Sequence, residues 1–196
     1  MIYLTSVNSA ETAVSSKEID SFIEGIARGE KEAFEALYNS ARVSVYAFAL
    51  SFLKNSYDAE DVLHDCFVSV WSSATAYRSS GKPLAWILTI TKNLCLMKIR
   101  ERSKTSDISE EEMERSLGSF DNASFEDKII VEACMKILSD EERQIVTLHA
   151  VSGFKHREIA GFLDIPLPTV LSRYNRALKK LRKYLTEERE NDEEQH

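Results

Sequence analysis

The amino-acid sequence predicts an all-α protein made of two small helical domains joined by an acidic, flexible linker. Apolar residues recur at helical spacing through most of the 196-residue chain, and alternating strand patterns are close to absent. The chain contains only 6 Gly and 3 Pro, a composition that favours long ordered elements. The periodicity fails at residues 103–122, where Ser, Asp and Glu dominate, so this stretch is the predicted linker.

These observations divide the chain into five parts. We predict a disordered arm at residues 1–16, a first helical domain at 17–102, the linker at 103–122, a second helical domain at 123–186 and an acidic tail at 187–196.

The first domain contains four predicted helices. Two of them cover residues 17–28 and 31–53, with a break at Gly29. The third runs from Asp58 to residue 77, and its first turn carries acids that suit the positive end of a helix dipole. A loop follows at residues 79–81, and the fourth helix covers about 84–102.

The third helix has an unusual outer face. Its inner stripe is formed by Val62, Leu63, Cys66, Phe67, Val70 and Ala74. Val68 projects almost opposite that stripe among acidic residues, with Trp71 at the flank. Singly exposed apolar residues are common on protein surfaces. A valine and a tryptophan beside acids could equally be a docking surface for a basic partner protein.

The fourth helix and the loop before it carry a second candidate surface. The helix is apolar on two sides and has a polar strip between them, formed by Thr89, Lys92, Asn93 and Arg100. Such a strip could run along a nucleic-acid backbone. The loop combines an aromatic ring with cations, at Tyr77, Arg78 and Lys82, which is the combination that holds unstacked bases. Taken alone, a loop of this composition is more often ordinary surface.

The second domain ends in three helix patterns between residues 138 and 185. Ser139 can cap the first of these helices, which opens with three acids and ends at Gly153. The second pattern covers residues 156–164 and ends before Pro166, since a residue that precedes proline disfavours the helical region. Pro168 and Thr169 then suit the first turn of a long third helix.

The long third helix of the second domain separates apolar from basic residues. One arc carries Val170, Tyr174, Ala177, Leu178, Leu181 and Leu185, and no acid of the helix interrupts the basic face up to Lys183. This layout is typical of a helix-turn-helix, whose last helix enters the DNA major groove. A solvated basic helix is the alternative. The predicted DNA-binding residues are His156, Arg157, Thr169, Ser172, Arg173, Arg176, Lys179 and Lys180.

Several function classes are disfavoured by the composition. The net charge of −7 does not contradict DNA binding, because the position of the positive charge decides it. No apolar run is long enough for membrane insertion, and the N-terminal segment does not resemble a secretion signal. The 3 Cys and 4 His show no metal-ligand spacing. We therefore expect a cytoplasmic protein with reduced thiols, without metal or cofactor, that is not an enzyme.

Two blocks of sequence suggest a family. DAEDVLHDCFVSVW with KPLAWILTITKNLCLMKIR, and then REIAGFLDIPLPTVLSRYNRALKKLRKYL, resemble the bacterial RNA polymerase sigma factors of the extracytoplasmic-function (ECF) group. The resemblance covers residues 19–185 in order and spacing. It departs from the family at His64, Met97, Pro168 and Leu171, where other residues are usual, so individual base contacts are not transferred.

The resemblance implies partners and roles for both domains. The third helix would bind the clamp helices of the largest subunit of core RNA polymerase through Asp58, Glu60, Asp61, Asp65, Val68 and Trp71. The loop at 77–82 and the fourth helix would capture the non-template strand of promoter DNA. The second domain would read the upstream promoter element and touch the flap of the second-largest subunit, while the linker would thread through the polymerase cleft. An anti-sigma protein is a further expected partner.

Two other functions remain open at this point. One is a stand-alone dimeric helix-turn-helix regulator, which would bind duplex DNA tightly without polymerase. The block from Asp58 to Arg100 disfavours it, since such a regulator has no use for that surface. The other is a metal protein built on His64, Asp65 and Cys66. Adjacent residues of a helix point in different directions, which disfavours a shared metal.

Overall fold

A computed structural model describes residues 14–104 and 137–193 of the chain. Most of the predicted linker at 103–122, most of the N-terminal arm and most of the helical pattern at 125–138 lie outside the described residues. The described part is helical and contains no strand. Its helices are α1 (Ser16–Ala27), α2 (Lys31–Leu53), α3 (Ser56–Ser73), a 3₁₀ turn (Ala74–Ala76), α4 (Pro83–Lys104), α5 (Asp140–Ala150), α6 (His156–Leu163) and α7 (Leu167–Glu193).

Side-chain caps fix the start of several helices. Ser15 caps α1 and Ser139 caps α5, each in a capping box with a glutamate three residues later. The predicted cap at Ser139 is thereby confirmed. Asn55 accepts a hydrogen bond from the backbone N–H of Asp58, so α3 begins two residues earlier than its first acid.

The last helix is longer than the sequence pattern predicted. The chain turns after α6 through Asp164, which has φ of 55°, and α7 begins at Leu167. The helix continues to Glu193, whereas the acidic tail was predicted from residue 187. No Gly or Pro occurs between Pro168 and Glu193, so the helical backbone is not interrupted where the composition turns acidic.

Helix α2 lies at the centre of the first domain, where α1, α3 and α4 pack around it. Phe48 of α2, Cys66 of α3 and Ile87 of α4 are fully buried in one apolar cluster. The predicted inner stripe of α3 is confirmed, because Val62, Cys66, Phe67, Val70 and Ala74 are buried and Leu63 is half-buried against the same core. These contacts leave the opposite face of α3 at the surface.

The second domain packs directly on the first. Helix α5 lies against α2, and the ring of Phe48 meets that of Phe162 from α6 with centroids 5.7 Å apart. Ile159 and Val170, from α6 and α7, belong to the same buried cluster as Phe48. The two predicted helical domains are present, and one apolar cluster extends across the contact between them.

Candidate functional site

The outer face of α3 presents an apolar pair beside acids. Val68 is 67% exposed and Trp71 is 42% exposed, while Asp61 and Asp65 are exposed on the same helix. We call Asp61, Asp65, Val68 and Trp71 the α3 ridge. The ring of Trp71 meets the ring of Phe34 edge-on, with centroids 5.3 Å apart, and this contact orients the indole at the surface. Asp65, Val68 and Trp71 are therefore available to a partner, while the exposed Asp61 also pairs with Lys98 of α4.

Asp58 and Glu60, which the sequence groups with the ridge residues, are less exposed than the ridge. Asp58 has a side chain only 13% exposed, and it pairs with Lys98 at 3.2 Å and with Arg102. Glu60 is half-buried. Asp58 thus joins the start of α3 to the end of α4, and its carboxylate has a structural role in this arrangement.

Lys98 is a functional neighbour that sequence reasoning missed. Its ammonium group lies between Asp58 and Asp61, 2.5 Å from the Asp61 carboxylate. Burial lowers the pKa of Lys98, but the hydrogen bonds to Asp61 and Asp58 outweigh burial and the pKa lies above its ordinary value. The sequence contains one signal for this contact: Lys98 and Arg102 are four residues apart, so both cations lie on the same face of α4.

The loop at 77–82 is held by hydrogen bonds at its N-terminal half. The Tyr77 hydroxyl and the Ser79 hydroxyl both donate to the carboxylate of Asp20 on α1. The Tyr77 ring packs on Trp86, with centroids 4.6 Å apart, so one side of this predicted base-stacking ring is covered. Arg78 is exposed and lines an open cleft of about 370 Å³ between α1 and the loop.

The polar strip of α4 is partly covered by the second domain. Thr89, Asn93 and Arg100 are exposed. Lys92 is half-buried, with its ammonium group 5.7 Å from the centroid of the Phe162 ring. In the loop, Lys82 lies 3.5 Å from the carboxylate of Glu158 on α6.

The basic face of α7 has the predicted orientation. Val170, Ala177 and Leu181 are buried on the inner side of the helix. Five of the predicted DNA-binding residues are exposed: Arg157 on α6, and Ser172, Arg176, Lys179 and Lys180 on α7. Thr169 is half-buried in the first turn, where its carbonyl accepts a hydrogen bond from the Ser172 hydroxyl. Basic side chains of α7 are thus open to solvent along the helix.

Acids of α5 neutralise part of this basic face. Lys180 lies 2.6 Å from Glu142 and Arg173 lies 3.0 Å from Glu141, while Arg176 approaches Glu142 at 3.9 Å. The sequence placed these acids at the start of α5 for dipole reasons, and their contact with α7 was not predicted. Lys179 has no such pairing among the described contacts.

Glu142 is a buried carboxylate, with a side chain 2% exposed. Burial raises the pKa of Glu142, but hydrogen bonds from Lys180 and from the backbone N–H of Ser139 outweigh burial, and the pKa lies below its ordinary value. Glu142 is therefore charged at neutral pH and depends on Lys180 for its compensation.

His156 does not occupy the predicted position on the DNA-facing surface. Its ring stacks on that of His149, with centroids 4.3 Å apart, and meets Tyr174 edge-on at 4.7 Å. Its Nε2 atom is buried without a hydrogen-bond partner. This placement corrects the prediction: the half-buried ring packs between α5 and α7.

The residues of the metal-protein alternative do not form a common site. Cys66 is buried, with its Sγ atom 3.3 Å from the Thr91 hydroxyl, while His64 and Asp65 are exposed. No group of three or more potential metal ligands occurs within residues 14–104 and 137–193. Among the helices in these ranges, none has the length and apolar character needed to cross a membrane.

Comparison with known proteins gives two matching sequence families. Residues 37–105 match Sigma-70 region 2, and residues 128–181 match Sigma-70 region 4. The ECF RNA polymerase sigma factor SigK of Mycobacterium ulcerans is 28% identical over 181 residues, which cover 87% of this chain and 95% of the relative. SigK of Mycolicibacterium vanbaalenii is 26% identical over 175 residues, covering 86% and 89%.

Two solved structures have a similar fold. The sigma factor RpoE of Bartonella quintana, in complex with the anti-sigma factor NepR, gives a TM-score of 0.60 at 23% identity and covers 78% of this chain and 96% of its own. CnrH, in complex with the cytosolic domain of CnrY, gives a TM-score of 0.57 at 23% identity and covers 86% and 97%.

Proposed function

This chain belongs to the ECF sigma factors of bacterial RNA polymerase and directs transcription initiation, and we propose that three of its surfaces divide the work. The α3 ridge binds core polymerase. The loop at 77–82, with the polar strip of α4, captures a single strand of promoter DNA. The basic face of α7 binds the upstream promoter element in the major groove.

The exposure of Val68 and Trp71 among acids is the observation that carries the polymerase-binding proposal. Both side chains lie at the surface while the opposite side of α3 is buried in the core. A tryptophan that can leave water on binding is a typical anchor of a protein interface. Asp61 and Asp65 add charge complementarity to a basic partner surface, which favours the clamp helices of the largest subunit.

The strand-binding proposal rests on the cations and polar groups around the loop. Arg78, Asn93 and Arg100 are exposed and can contact phosphates or unstacked bases. Stacking and phosphate contacts return about 1–3 kcal/mol per base, which offsets the few kcal/mol that unstacking costs. Strand opening is thus driven by binding, and no bond needs to be made or broken by this chain.

The packing of the two domains adds a requirement to this mechanism. Lys82 and Lys92 contact Glu158 and Phe162 of the second domain, so both cations are engaged within the chain. These contacts have to break before the two lysines can bind DNA. In this proposal the second domain moves away from α4 when the promoter is captured, which frees both lysines from α6.

The basic face of α7 supports major-groove binding. Lys179 and Arg176 are exposed and can reach phosphates, while Ser172 is exposed near the start of the helix, where recognition helices contact base edges. The second domain also touches the flap of the second-largest polymerase subunit in this proposal. An anti-sigma protein is a further proposed partner, since the similar RpoE structure contains one. The chain would act in the cytoplasm as a binding protein and not as an enzyme.

Run-off transcription with purified core RNA polymerase tests the main proposal. The chain should yield promoter-dependent transcripts from genomic fragments, and a Trp71→Ala variant should bind core polymerase about tenfold or more weakly, as expected for an interface anchor. Val43→Asp is a matched surface control, because Val43 is 53% exposed on α2 and lies outside the ridge. Unchanged core binding by Trp71→Ala would contradict the role of the ridge, and absence of any promoter-dependent transcript would contradict the function as a whole.

A further inference from the structure

The carboxylate of Asp20 connects helix α1 to the loop at 77–82. Its Oδ1 atom accepts a hydrogen bond from the Tyr77 hydroxyl at 2.5 Å, and its Oδ2 atom accepts one from the Ser79 hydroxyl at 2.9 Å. Each oxygen of the carboxylate therefore holds a different residue of the loop. These bonds span 57 and 59 positions of sequence, so they fix the loop against a distant part of the chain.

The hydrogen bonds of Asp20 continue into the rest of the loop. The Ser79 hydroxyl accepts a hydrogen bond from the backbone N–H of Gly81 at 3.3 Å. Gly81 has φ of 75°, a conformation that favours glycine. Asp20 thus supports, through Ser79, the turn that leads to Lys82 and to the first residue of α4, while Arg78 folds back onto the carbonyl of Tyr77 at 2.8 Å.

Helix α1 is a firm support for this carboxylate. A capping box fixes its first turn, and Ile19, Ile23 and Ile26 anchor it in the core. Asp20 directly follows the buried Ile19 and is itself half-buried. Burial, followed by the hydrogen bond to Asp20, raises the pKa of Tyr77 to about 12, so the phenol remains a donor to the carboxylate at all physiological pH values.

Helix α1 also lies outside the part of the chain that matches Sigma-70 region 2, which begins at residue 37. The match to that family therefore assigns no role to Asp20. A carboxylate beside a DNA-binding loop would by itself repel phosphates, so a useful effect on DNA binding has to come from the hydrogen bonds that it accepts.

We propose that Asp20 is a positioning residue for promoter-strand capture, holding the loop at 77–82 in its DNA-binding shape without contacting DNA. A loop that is already ordered loses less conformational entropy when the strand binds. Without the carboxylate, Tyr77 and Ser79 lose their shared acceptor and the turn at Gly81 loses its support. The inference rests on the proposed strand-binding function of this loop.

The test uses holoenzyme assembled from core polymerase and the full chain, with a fluorescent single-stranded oligonucleotide of the non-template promoter sequence as the probe. Asp20→Ala should weaken oligonucleotide binding about tenfold, the effect of losing two ordinary hydrogen bonds. Asp20→Asn should stay within about threefold of the unchanged chain, because the amide can accept from Tyr77 and donate to Ser79. Affinity for core polymerase should be the same in both variants.

Glu24→Ala is the matched control. Glu24 is an exposed acid on the same helix and lines the cleft between α1 and the loop, and it makes no described hydrogen bond to the loop. If loss of negative charge were the only effect, both alanine variants would strengthen DNA binding, since a repulsive charge is removed. Weakening by Asp20→Ala together with no weakening by Glu24→Ala supports positioning.

Two outcomes overturn the inference, and they are distinguishable. If Arg78→Ala and Lys82→Ala weaken oligonucleotide binding while Asp20→Ala does not, the loop binds the strand and Asp20 does not position it. If none of the three variants changes oligonucleotide binding, the strand-binding function of the loop fails and the role of Asp20 fails with it. A thermal unfolding midpoint for Asp20→Ala within about 2 °C of the unchanged chain excludes general unfolding as the cause.

Discussion

The Arg143 guanidinium donates a hydrogen bond through Nε to the backbone carbonyl oxygen of Ser51, 3.1 Å away in the last turn of α2. Carbonyls in a final helical turn lack partners within their own helix, and a cation there suits the negative end of the helix dipole. The Arg143 side chain is only 2% exposed and also pairs with Asp140 at 2.5 Å. A residue of the second domain therefore caps a helix of the first domain.

Replacing Arg143 should destabilise the whole chain. In Arg143→Ala the carbonyl of Ser51 loses a charged donor in a buried position, and we expect the free energy of unfolding to fall by about 2–3 kcal/mol. Urea denaturation followed by circular dichroism measures it. Arg157→Ala is the control, because Arg157 is exposed, and it should change the free energy of unfolding by less than about 0.5 kcal/mol. An equally small effect of Arg143→Ala would contradict the contact with α2.

A second contact across the domains offers a charge-reversal test. Lys54 of the first domain lies 2.7 Å from Asp140 of the second, and neither belongs to the three proposed binding surfaces. Lys54→Glu should loosen the packing by replacing attraction with repulsion, and Asp140→Lys should do the same. The double variant should restore the packing only in part, because the cation at position 140 still faces Arg143. Small-angle X-ray scattering of the free chain should give a larger radius of gyration for each single variant than for the unchanged chain. The radius of gyration of the double variant should be smaller than that of either single variant.

The same variants test whether the packing limits DNA capture. Loosening should free Lys82 and Lys92 from α6, so single-stranded DNA should bind more tightly to Lys54→Glu than to the unchanged chain, even though a positive charge has been lost. Lys31→Glu, at the other end of α2, is the charge-matched control and should not strengthen binding. If Lys54→Glu and Lys31→Glu bound DNA with equal affinity, the idea that the second domain covers Lys82 and Lys92 would be wrong.

Local patterns made the helices predictable, whereas contacts between distant segments were not. The stripe on α3 and the cap at Ser139 follow from spacing and residue type over a few positions. The pairing of Glu142 with Lys180 and the contact of Arg143 with Ser51 join segments 38 and 92 positions apart. Nothing in the local pattern specifies such pairs, because they depend on how distant helices pack, α5 on α7 within the second domain and α5 on α2 between the domains. The inward rotation of His156 was missed for the same reason.

The setting of His156 predicts a loss of stability in mild acid. Burial, and then the nearby His149, lower the pKa of His156 in the folded chain below the unfolded value of about 6.5. As the pH falls through about 6.5, the unfolded chain binds the proton first, so the free energy of unfolding decreases. Thermal melts between pH 7.5 and 5.5 should show a falling midpoint, and the slope should be smaller in His156→Phe, which keeps an aromatic ring there. If the melting midpoint fell equally steeply with pH in both chains, a neutral His156 packed against His149 and Tyr174 would be contradicted.

Two buried thiols provide a chemical test of the first-domain core. Burial raises the pKa of Cys66 to about 11 and that of Cys95 to about 12. At pH 8 the thiolate fraction is then at least about a hundredfold below that of a free cysteine. In a Cys134→Ser background, iodoacetamide should modify neither thiol in the folded chain and both in urea. Fast alkylation without urea, read by mass spectrometry, would contradict their burial between α3 and α4.

Neighbouring lysines of α7 should separate DNA binding from stability. Lys180 lies 2.6 Å from the buried Glu142, so Lys180→Ala leaves that carboxylate with less compensation and should lower the free energy of unfolding by about 1–3 kcal/mol. Lys179 is exposed, so Lys179→Ala should leave the free energy of unfolding unchanged within about 0.5 kcal/mol. Lys179→Ala should instead weaken holoenzyme binding to duplex DNA of different sequences alike, and should reduce the slope of log affinity against log salt by about 1. Urea denaturation and salt titrations measure the two effects.

Two outcomes would contradict these roles. If Lys179→Ala left the salt slope unchanged, the assignment of Lys179 to phosphate contact would be wrong. If both variants lost equal stability, the assignment of Lys180 to the compensation of Glu142 would be wrong.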